Sequence, residues 1–537
     1  MQGRPFVRNG VTLLGLDPVR RAERTADAVT VKDKTLYFCP SILYGYGIKR
    51  LIERLEKAPG SAVLCVEADS ELYDLTLRNI DPILLQNKKI HITNVCAAAP
   101  LCTLVSELWG TKTFRRIEII KFTGGFQLNG ELYESLCNAL RREIATDLGN
   151  VMTLAKLGRL YIRNLFRNLS LISRFPSIEF LSFGNMPVLV LGAGPSLDET
   201  LDALDYRYAK AGSRPYKIIC VDTCLGSLRE RNIEPDLAVI LESQHWNLRD
   251  FIGCKGWNIS AAMDLSALPS STQQLEGNGY LFFTPWTNLR IFNRLRKEKL
   301  LPAVIPPLGS VGLTAVEIAR RLTKGKIICA GLDFSFTADK YHARGSPGHK
   351  TRINVQTRLQ RILNTITFDK SSAGAVSKKS GMVYTSPSLK HYRNLFIQEF
   401  SGDLRLFDIA DSGLSLELNT LSLKDALGVL ENENCCQKQA EFSPFNEKMN
   451  NGMEEKVLIF LDNEKKLLNE LKNILIGEAE ADQQRFNVLI DECDYLWAHF
   501  PDCSQGRPPD LGIDSALSFL KRVRAEIDPM LKRLIFN

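Results

Sequence analysis

The chain has 537 residues, which at roughly 150 residues per domain is enough for about three or four folding units. Its 45% hydrophobic and 24% charged residues are those of ordinary globular protein and exclude wholesale disorder, collagen and a coiled-coil rod. Lysine plus arginine, 68, against aspartate plus glutamate, 61, leaves a mild excess of seven with the signs interspersed, so no nucleic-acid partner is expected and an anionic small ligand is accommodated.

Thirteen cysteines, an odd number with no C-x-x-C, read as reduced thiols of a cytoplasmic protein, most of them buried. The first residues lack the apolar core of a signal peptide. The most apolar stretch, 301–319, carries three prolines, two glycines and Glu317, so no membrane span is expected.

Strand and helix signals alternate over residues 1–125. Residues 35–39 read as a buried strand, 41–47 as a turn, 48–57 as a helix and 61–66 as a second strand ending at Glu67. Strand, glycine turn, helix, strand, acid is the order of a dinucleotide half-site, in which the acid would hold ribose hydroxyls. The glycine fingerprint is degraded, and Ile42, Leu43 and Tyr44 obstruct the backbone approach that a pyrophosphate needs. The region therefore reads as a Rossmann-like domain without a ligand. Residues 126–185 have helical periodicity and many basic side chains, among them Arg141, Arg142, Arg159, Arg163 and Arg167, and read as a solvated helical connector.

A second alternation occupies 186–430. Residues 188–191, 217–221, 237–241 and 327–330 are short, continuously apolar runs separated by helical segments, the pattern of parallel strands covered on both faces, and 404–409 adds another. Residues 431–456 are polar and read as a linker. Beyond it Val457, Leu461, Leu468, Leu471 and Leu475 share a helical face, and further helical patterns cover 482–496 and 515–531. The fold class is thus α/β: a central Rossmann-like parallel sheet, an N-terminal Rossmann-like domain, and a C-terminal helical domain at 457–537.

The central region carries the chemistry. Its first strand ends in Gly192-Ala-Gly194-Pro195-Ser196, where glycines permit close backbone approach and proline suits a helix start. The N–H groups of Ser196 and Leu197, with the Ser196 hydroxyl, would face an anion there. The loop lacks a Walker A lysine, and Asp198 stands where a G-x-G-x-x-G loop has its third glycine. Asp222 follows the next strand, placed to reach ribose or base. The third strand opens at Pro235-Asp236 and ends at Glu242. Gly309-Ser310 makes a second small-residue turn into a helix. The following strand ends in Gly331-Leu-Asp333-Phe334, with Tyr341-His342 on the next loop. In an open parallel sheet these strand ends converge on one edge.

Taken together, Gly-Ala-Gly-Pro-Ser-Leu, the Asp222 strand end, Pro235-Asp236, Gly-Ser-Val-Gly and Gly-Leu-Asp-Phe resemble the motility-associated factor (Maf) family of flagellin glycosyltransferases. Its central domain is similar to bacterial sialyltransferases and to the archaeal 6-hydroxymethylpterin diphosphokinase. The match covers about residues 186–345, and residues 411–417 resemble the family's closing glycine-rich segment. The resemblance implies transfer of a nonulosonic acid, of pseudaminic or legionaminic type, from its CMP-activated form to Ser or Thr of flagellin. By the same analogy Gly192, Gly194, Pro195 and Ser196 would cradle CMP. Asp222 and Glu242 would hold ribose or cytosine, Gly309 and Ser310 the donor carboxylate or phosphate, and Phe334 would lie beside the donor. Ser335 replaces the phenol expected after Asp333-Phe334, which leaves Tyr341 to bind the leaving phosphate.

A CMP-linked sugar acid already has a good leaving group, so the protein needs only to stabilise departing phosphate and deprotonate the acceptor. The chain contains no Asp-x-Asp triplet, and neither metal nor cofactor is expected. An imidazole is the natural base near neutral pH. His342 is the first candidate; His349, His391, His245 and Asp333 stay open, while His91 and His499 fall outside the domain. Two other readings remain: diphosphate transfer from ATP to a pterin alcohol, with Mg²⁺ on clustered carboxylates, and a non-enzymatic flagellin-binding assembly factor.

Overall fold

The computed structural model describes residues 5–534 apart from 111–112, 205–208, 212–213, 360, 362–371, 380, 410–411, 433–446, 481 and 504–516. The chain divides into two compact units. Met1–Leu157 with Ala498–Pro509 form the first, and Gly158–Trp497 with Asp510–Asn537 the second.

The first unit opens with an antiparallel hairpin, β1 (Phe6–Arg8) and β2 (Val11–Leu14). Four parallel strands follow: β3 (Thr35–Pro40), β4 (Ala62–Val66), β5 (Ile90–Thr93) and β6 (Arg116–Ile119), in the order β5-β4-β3-β6. All residues of β3 and β4 are buried, as their continuous apolar runs require of a sheet covered on both faces. The turn after β3 buries Ile42 and Leu43. Glu67, at the end of β4, is buried as well and accepts a hydrogen bond from the Tyr133 hydroxyl at 3.1 Å.

The helix Gly130–Asn168 leads from the first unit into the second, to which it belongs from Gly158 onward. The second unit is built on eight parallel strands: β7 (Val188–Leu191), β8 (Lys217–Val221), β9 (Leu237–Ile240), β10 (Ala261–Asp264), β11 (Gly279–Phe282), β12 (Ile327–Ala330), β15 (Leu406–Ile409) and β16 (Asn419–Leu421). A hairpin of β13 (Ala373–Val376) and β14 (Met382–Thr385) lies between β12 and β15 in the chain. The sheet order is β11-β10-β9-β8-β7-β12-β15-β16. The chain winds outward from β7 to β11, then returns to lay β12 on the other side of β7. That reversal opens a crevice at the carboxyl ends of β7 and β12, the place where open α/β sheets bind ligands. The helix Val311–Leu322 packs across β7, β8 and β9.

Strands β10 and β11 were not legible in the sequence, because Ala-Ala-Met-Asp and Gly-Tyr-Leu-Phe lack the β-branched runs of their neighbours. The contacts also group the chain differently from the sequence boundaries. The C-terminal helices pack within the second unit: Arg294, on Arg290–Lys297, meets Glu464 at 2.7 Å, and Arg290 N–H donates to Asp494 at 2.9 Å. The expected linker lies outside the described residues over 433–446, and from Glu447 it is part of the helix Glu447–Ile476. Every described cysteine is a free thiol, and the vicinal Cys435-Cys436 pair lies outside the described residues. Among the described residues no helix is long and apolar enough to cross a membrane.

Two buried asparagines of the long helix fix the strand-end loops. Asn164 Nδ2 donates to Ser243 O at 3.0 Å and Ser266 O at 3.1 Å, and Asn168 Nδ2 to Leu265 O at 3.0 Å and Ala267 O at 2.8 Å. Asn168→Ala leaves two buried carbonyls without this donor and should lower unfolding free energy by about 2 kcal/mol or more in urea denaturation.

Candidate functional site at the sheet's switch point

The register of β7 with β12 sets Leu191 level with Ala330, so the next residues, Gly192 and Gly331, meet. Gly192 N–H donates to Ala330 O and Gly194 N–H to Gly331 O, both at 2.8 Å. A Cβ on Gly192 would lie 2.4 Å from Gly331 O, and one on Gly194 would lie 2.5 Å from Asp333 Cγ. The small residues of this turn are thus required by the approach of two loops of the chain to each other. Asp333 closes the contact: its carboxylate accepts from Ser196 N–H at 2.8 Å and from the Ser196 hydroxyl. A third loop seals it, with Leu414 N–H donating to Asp333 O at 2.9 Å and Gly413 packed against the Asp333 side chain.

This arrangement corrects one expectation. Ser196 N–H is held by Asp333, and Leu197 N–H bonds Gly194 O at 3.1 Å, so neither faces outward to an anion. Pro195 and Ser196 are buried, and the helix Leu197–Ala203 begins two residues after the proline. The reason is the buried Asp333 carboxylate, which takes the nearest donors for itself. Asp198 is likewise committed, to Arg231, Lys340 and Arg344. Burial opposes its ionisation, but Lys340 and Arg344 outweigh it and hold the carboxyl below its usual value.

Beyond β7 the strand ends carry carboxylates. Asp222, after β8, is buried and accepts from Asn247 Nδ2 at 2.7 Å and Thr223 N–H at 2.8 Å. The same Asn247 amide reaches Asp250 at 3.4 Å. Burial raises Asp222 to about 6 against these hydrogen bonds, and burial with the Asp222 charge raises Asp250 to about 7. Asp264, at the end of β10, accepts from Ser266 N–H and Thr284 N–H, both at 2.6 Å, and burial raises it to about 6. Glu242, after β9, is exposed. Tyr161 of the long helix feels the charges of Glu242 and Asp264, and burial pushes its phenol up to about 12. Its ring lies 5.2 Å from Trp286, just past β11. Gly309 is exposed beside Tyr392, and Ser310 caps the helix Val311–Leu322 without a side-chain bond to it. This rim offers carboxylate, phenol, hydroxyl and indole groups at its edge, which suits a polar, hydroxyl-rich ligand.

The loop after β12 folds over the switch point, with Ala343 N–H donating to Ala193 O at 3.0 Å. Tyr341 is clasped between the Phe336 ring, 4.5 Å away, and the Arg352 guanidinium, 4.5 Å away. His342 is packed edge-on to Tyr341, and its Nδ1 is buried with no hydrogen-bond partner. Burial, helped by Arg352, holds its imidazole down at about 4. His349 is also buried, whereas His245 and His391 are exposed.

The structure therefore brings Gly192, Gly194, Pro195, Ser196 and Asp333 together at the switch point, with Tyr341 and His342 on the loop above. Phe334 is buried, with its ring 6.0 Å from Phe396 and its backbone φ at +47°. Sequence reasoning missed Tyr161, Asn247, Asp250, Asp264 and Trp286. Asp264 ends a strand that was itself unread, while Tyr161 and Asn247 approach the rim only through tertiary packing.

Comparison with known proteins fits this geometry. Residues 161–339 match the family described as "6-hydroxymethylpterin diphosphokinase MptE-like". An uncharacterized protein of Treponema pallidum is 29% identical over 531 residues, 95% of this chain and 90% of that protein. The solved Maf glycosyltransferase of Magnetospirillum magneticum AMB-1 superposes with a TM-score of 0.51 at 14% identity, over 99% of this chain and 84% of that one. The class is a Maf-like fold of Rossmann-like α/β units. The stretch similar to the MptE-like family begins on the long helix with Tyr161.

Two outcomes are expected. Gly194→Ala forces its Cβ onto Asp333 and should destabilise the second unit by about 2 kcal/mol or more in urea denaturation. Asp250 is raised in the folded state, so its contribution favours folding below its unfolded value, near 4, and is lost as pH rises to about 7. The stability of Asp250→Asn relative to the parent should therefore rise between about pH 4 and 7 and level off above, read from denaturation midpoints across that range.

Proposed function

We propose that this protein is a glycosyltransferase that moves a nonulosonic acid from its CMP-activated donor to Ser or Thr hydroxyls of flagellin, in support of flagellum assembly and motility. The observation that carries this reading is the junction of the Gly192-Ala-Gly-Pro-Ser loop with the Gly331-Leu-Asp loop at the switch point of a Maf-like fold. That junction makes a rigid floor beneath the rim. CMP would lie on it, with its ribose or base toward Thr223, Asp222 and Glu242 and its phosphate toward Gly309, Ser310 and Tyr341.

In the reaction the acceptor oxygen attacks the anomeric carbon of the sugar acid, the bond from that carbon to the CMP phosphate oxygen breaks, and CMP leaves with the bonding electrons. The acceptor proton passes to a base. His342 fits that role by its place on the loop over the site, where its imidazole, held near 4 by burial and Arg352, is neutral at physiological pH. Asp333, spent on Ser196, serves as the positioning residue for the floor. No cofactor enters this scheme, and the reaction belongs in the cytoplasm, where the acceptor is still unassembled.

The enzymatic alternative, diphosphate transfer from ATP to a pterin alcohol, draws on the description of the matched family. It needs Mg²⁺ held by clustered carboxylates; among the described residues no group of three or more His, Cys, Asp or Glu side chains is arranged to hold a metal.

Calorimetric titration should show CMP binding that Ser196→Ala and Asp222→Ala weaken; stabilisation by Mg-ATP without CMP binding would select the alternative. Intact-mass analysis should find flagellin lighter by the sugar when the gene is deleted, and unchanged flagellin mass would favour a non-enzymatic assembly factor. His342→Gln should lower kcat ~10²–10⁴-fold, and the parent rate should climb through about pH 4 and stay level above it.

A further inference from the structure

The long helix has a second chemical face. Tyr161, Asn164 and Asn168 meet the rim of the sheet. Arg159, Arg163 and Arg167, four residues apart, form a stripe roughly 130° around the helix from them. The last helix, Leu517–Leu531, reaches this stripe through an ion pair between Arg159 and the buried Glu526. Seven residues beyond Glu526, two turns on, stands Arg533, on which the charges of Arg163 and Arg167 act in turn.

Three guanidinium groups, those of Arg159, Arg163 and Arg533, thus act on the one carboxylate of Glu526. Glu526 acts on both Arg163 and Arg533, but it is already paired with Arg159. The Nε atoms of Arg163 and Arg533 are buried and have no hydrogen-bond partner, and Arg533 otherwise donates to Pro529 O of its own segment. Burial first, and neighbouring arginines second, push both guanidinium groups below the usual arginine value. Unpartnered like charges held this close raise the energy of the unliganded protein, and an anion relieves both the repulsion and the orphaned donors.

We propose that Arg163 and Arg533 form a binding site for a phosphate group, separate from the site at the sheet's rim. A single carboxylate accepts one bidentate fork and brings one charge. A phosphate brings up to two charges, and its oxygens accept from several guanidinium groups at once, which matches the two arginines that Glu526, already paired with Arg159, leaves uncompensated. The group is carried either by a free phosphate or by an anionic lipid headgroup, and the same residues would engage it.

The test uses the full-length protein. Inorganic pyrophosphate, titrated at constant ionic strength, should raise the midpoint of thermal unfolding where sodium chloride does not. Arg163→Gln and Arg533→Gln should each need about tenfold more for the same rise, while Asp222→Asn at the rim responds like the parent. In a second arm, sedimentation with phosphatidylglycerol vesicles against phosphatidylcholine vesicles assigns the group to a lipid if only the former carry the protein down and both arginine variants stay in solution. Should Arg163→Gln fail to fold, Arg533→Gln, at the chain's end, carries the comparison. A pyrophosphate response lost in Asp222→Asn and kept in the arginine variants, or no difference between parent and arginine variants with either probe, overturns the proposal.

Discussion

The second unit depends on one buried carboxylate. Asp333 leaves the sheet just past β12, three residues from the strand, and takes both the amide and the hydroxyl of Ser196, which stands at the same height past β7. Without it the two loops would present a row of glycine carbonyls and amides to each other with nothing to hold the approach. With it they meet at a separation that leaves no space for a Cβ on Gly192 or Gly194. A charged group so deeply buried is tolerated because each oxygen has a donor and because the neighbouring backbone supplies more, as Leu414 does to the Asp333 carbonyl.

From this junction the rim is built outward on one side by acids that the fold keeps partly protonated. Asp222, Asp250 and Asp264 are all raised by burial, and Asn247 bridges the first two. Holding protonatable carboxyls near neutrality at the edge of a cleft is a common property of sites that bind polar ligands or move protons. The long helix contributes to both layers, since Asn164 and Asn168 fix the loops after β9 and β10 while Tyr161 reaches the rim itself. The match to the MptE-like family begins at this tyrosine, so it takes in the last turns of the helix.

Much of this was legible beforehand and some was not, for particular reasons. Val188–Leu191, Lys217–Val221 and Ile327–Ala330 are unbroken apolar runs, and each is a strand with the bounds its sequence suggests. Ala261–Asp264 is small and polar-ended, so its strand character comes from its place between β9 and β11. The glycines at 192 and 194 demand close approach by their sequence alone, and the approaching partner is the loop after β12, not a ligand. Periodicity marks the arginines of the long helix as an outer face; that Glu526 of the last helix pairs with Arg159 could not be read from spacing.

The sequence by itself determined the strands, the small-residue turns that end them and the acids that follow, because hydrophobic runs and glycine or proline positions act through local backbone preference and burial. The tertiary structure alone decided which of those turns touch. Strand order placed β12 against β7, and from that adjacency follows the pairing of Asp333 with Ser196. Such contacts join residues more than a hundred positions apart, and the energy that selects them is that of packing and of satisfying buried polar groups, which no local stretch of chain encodes.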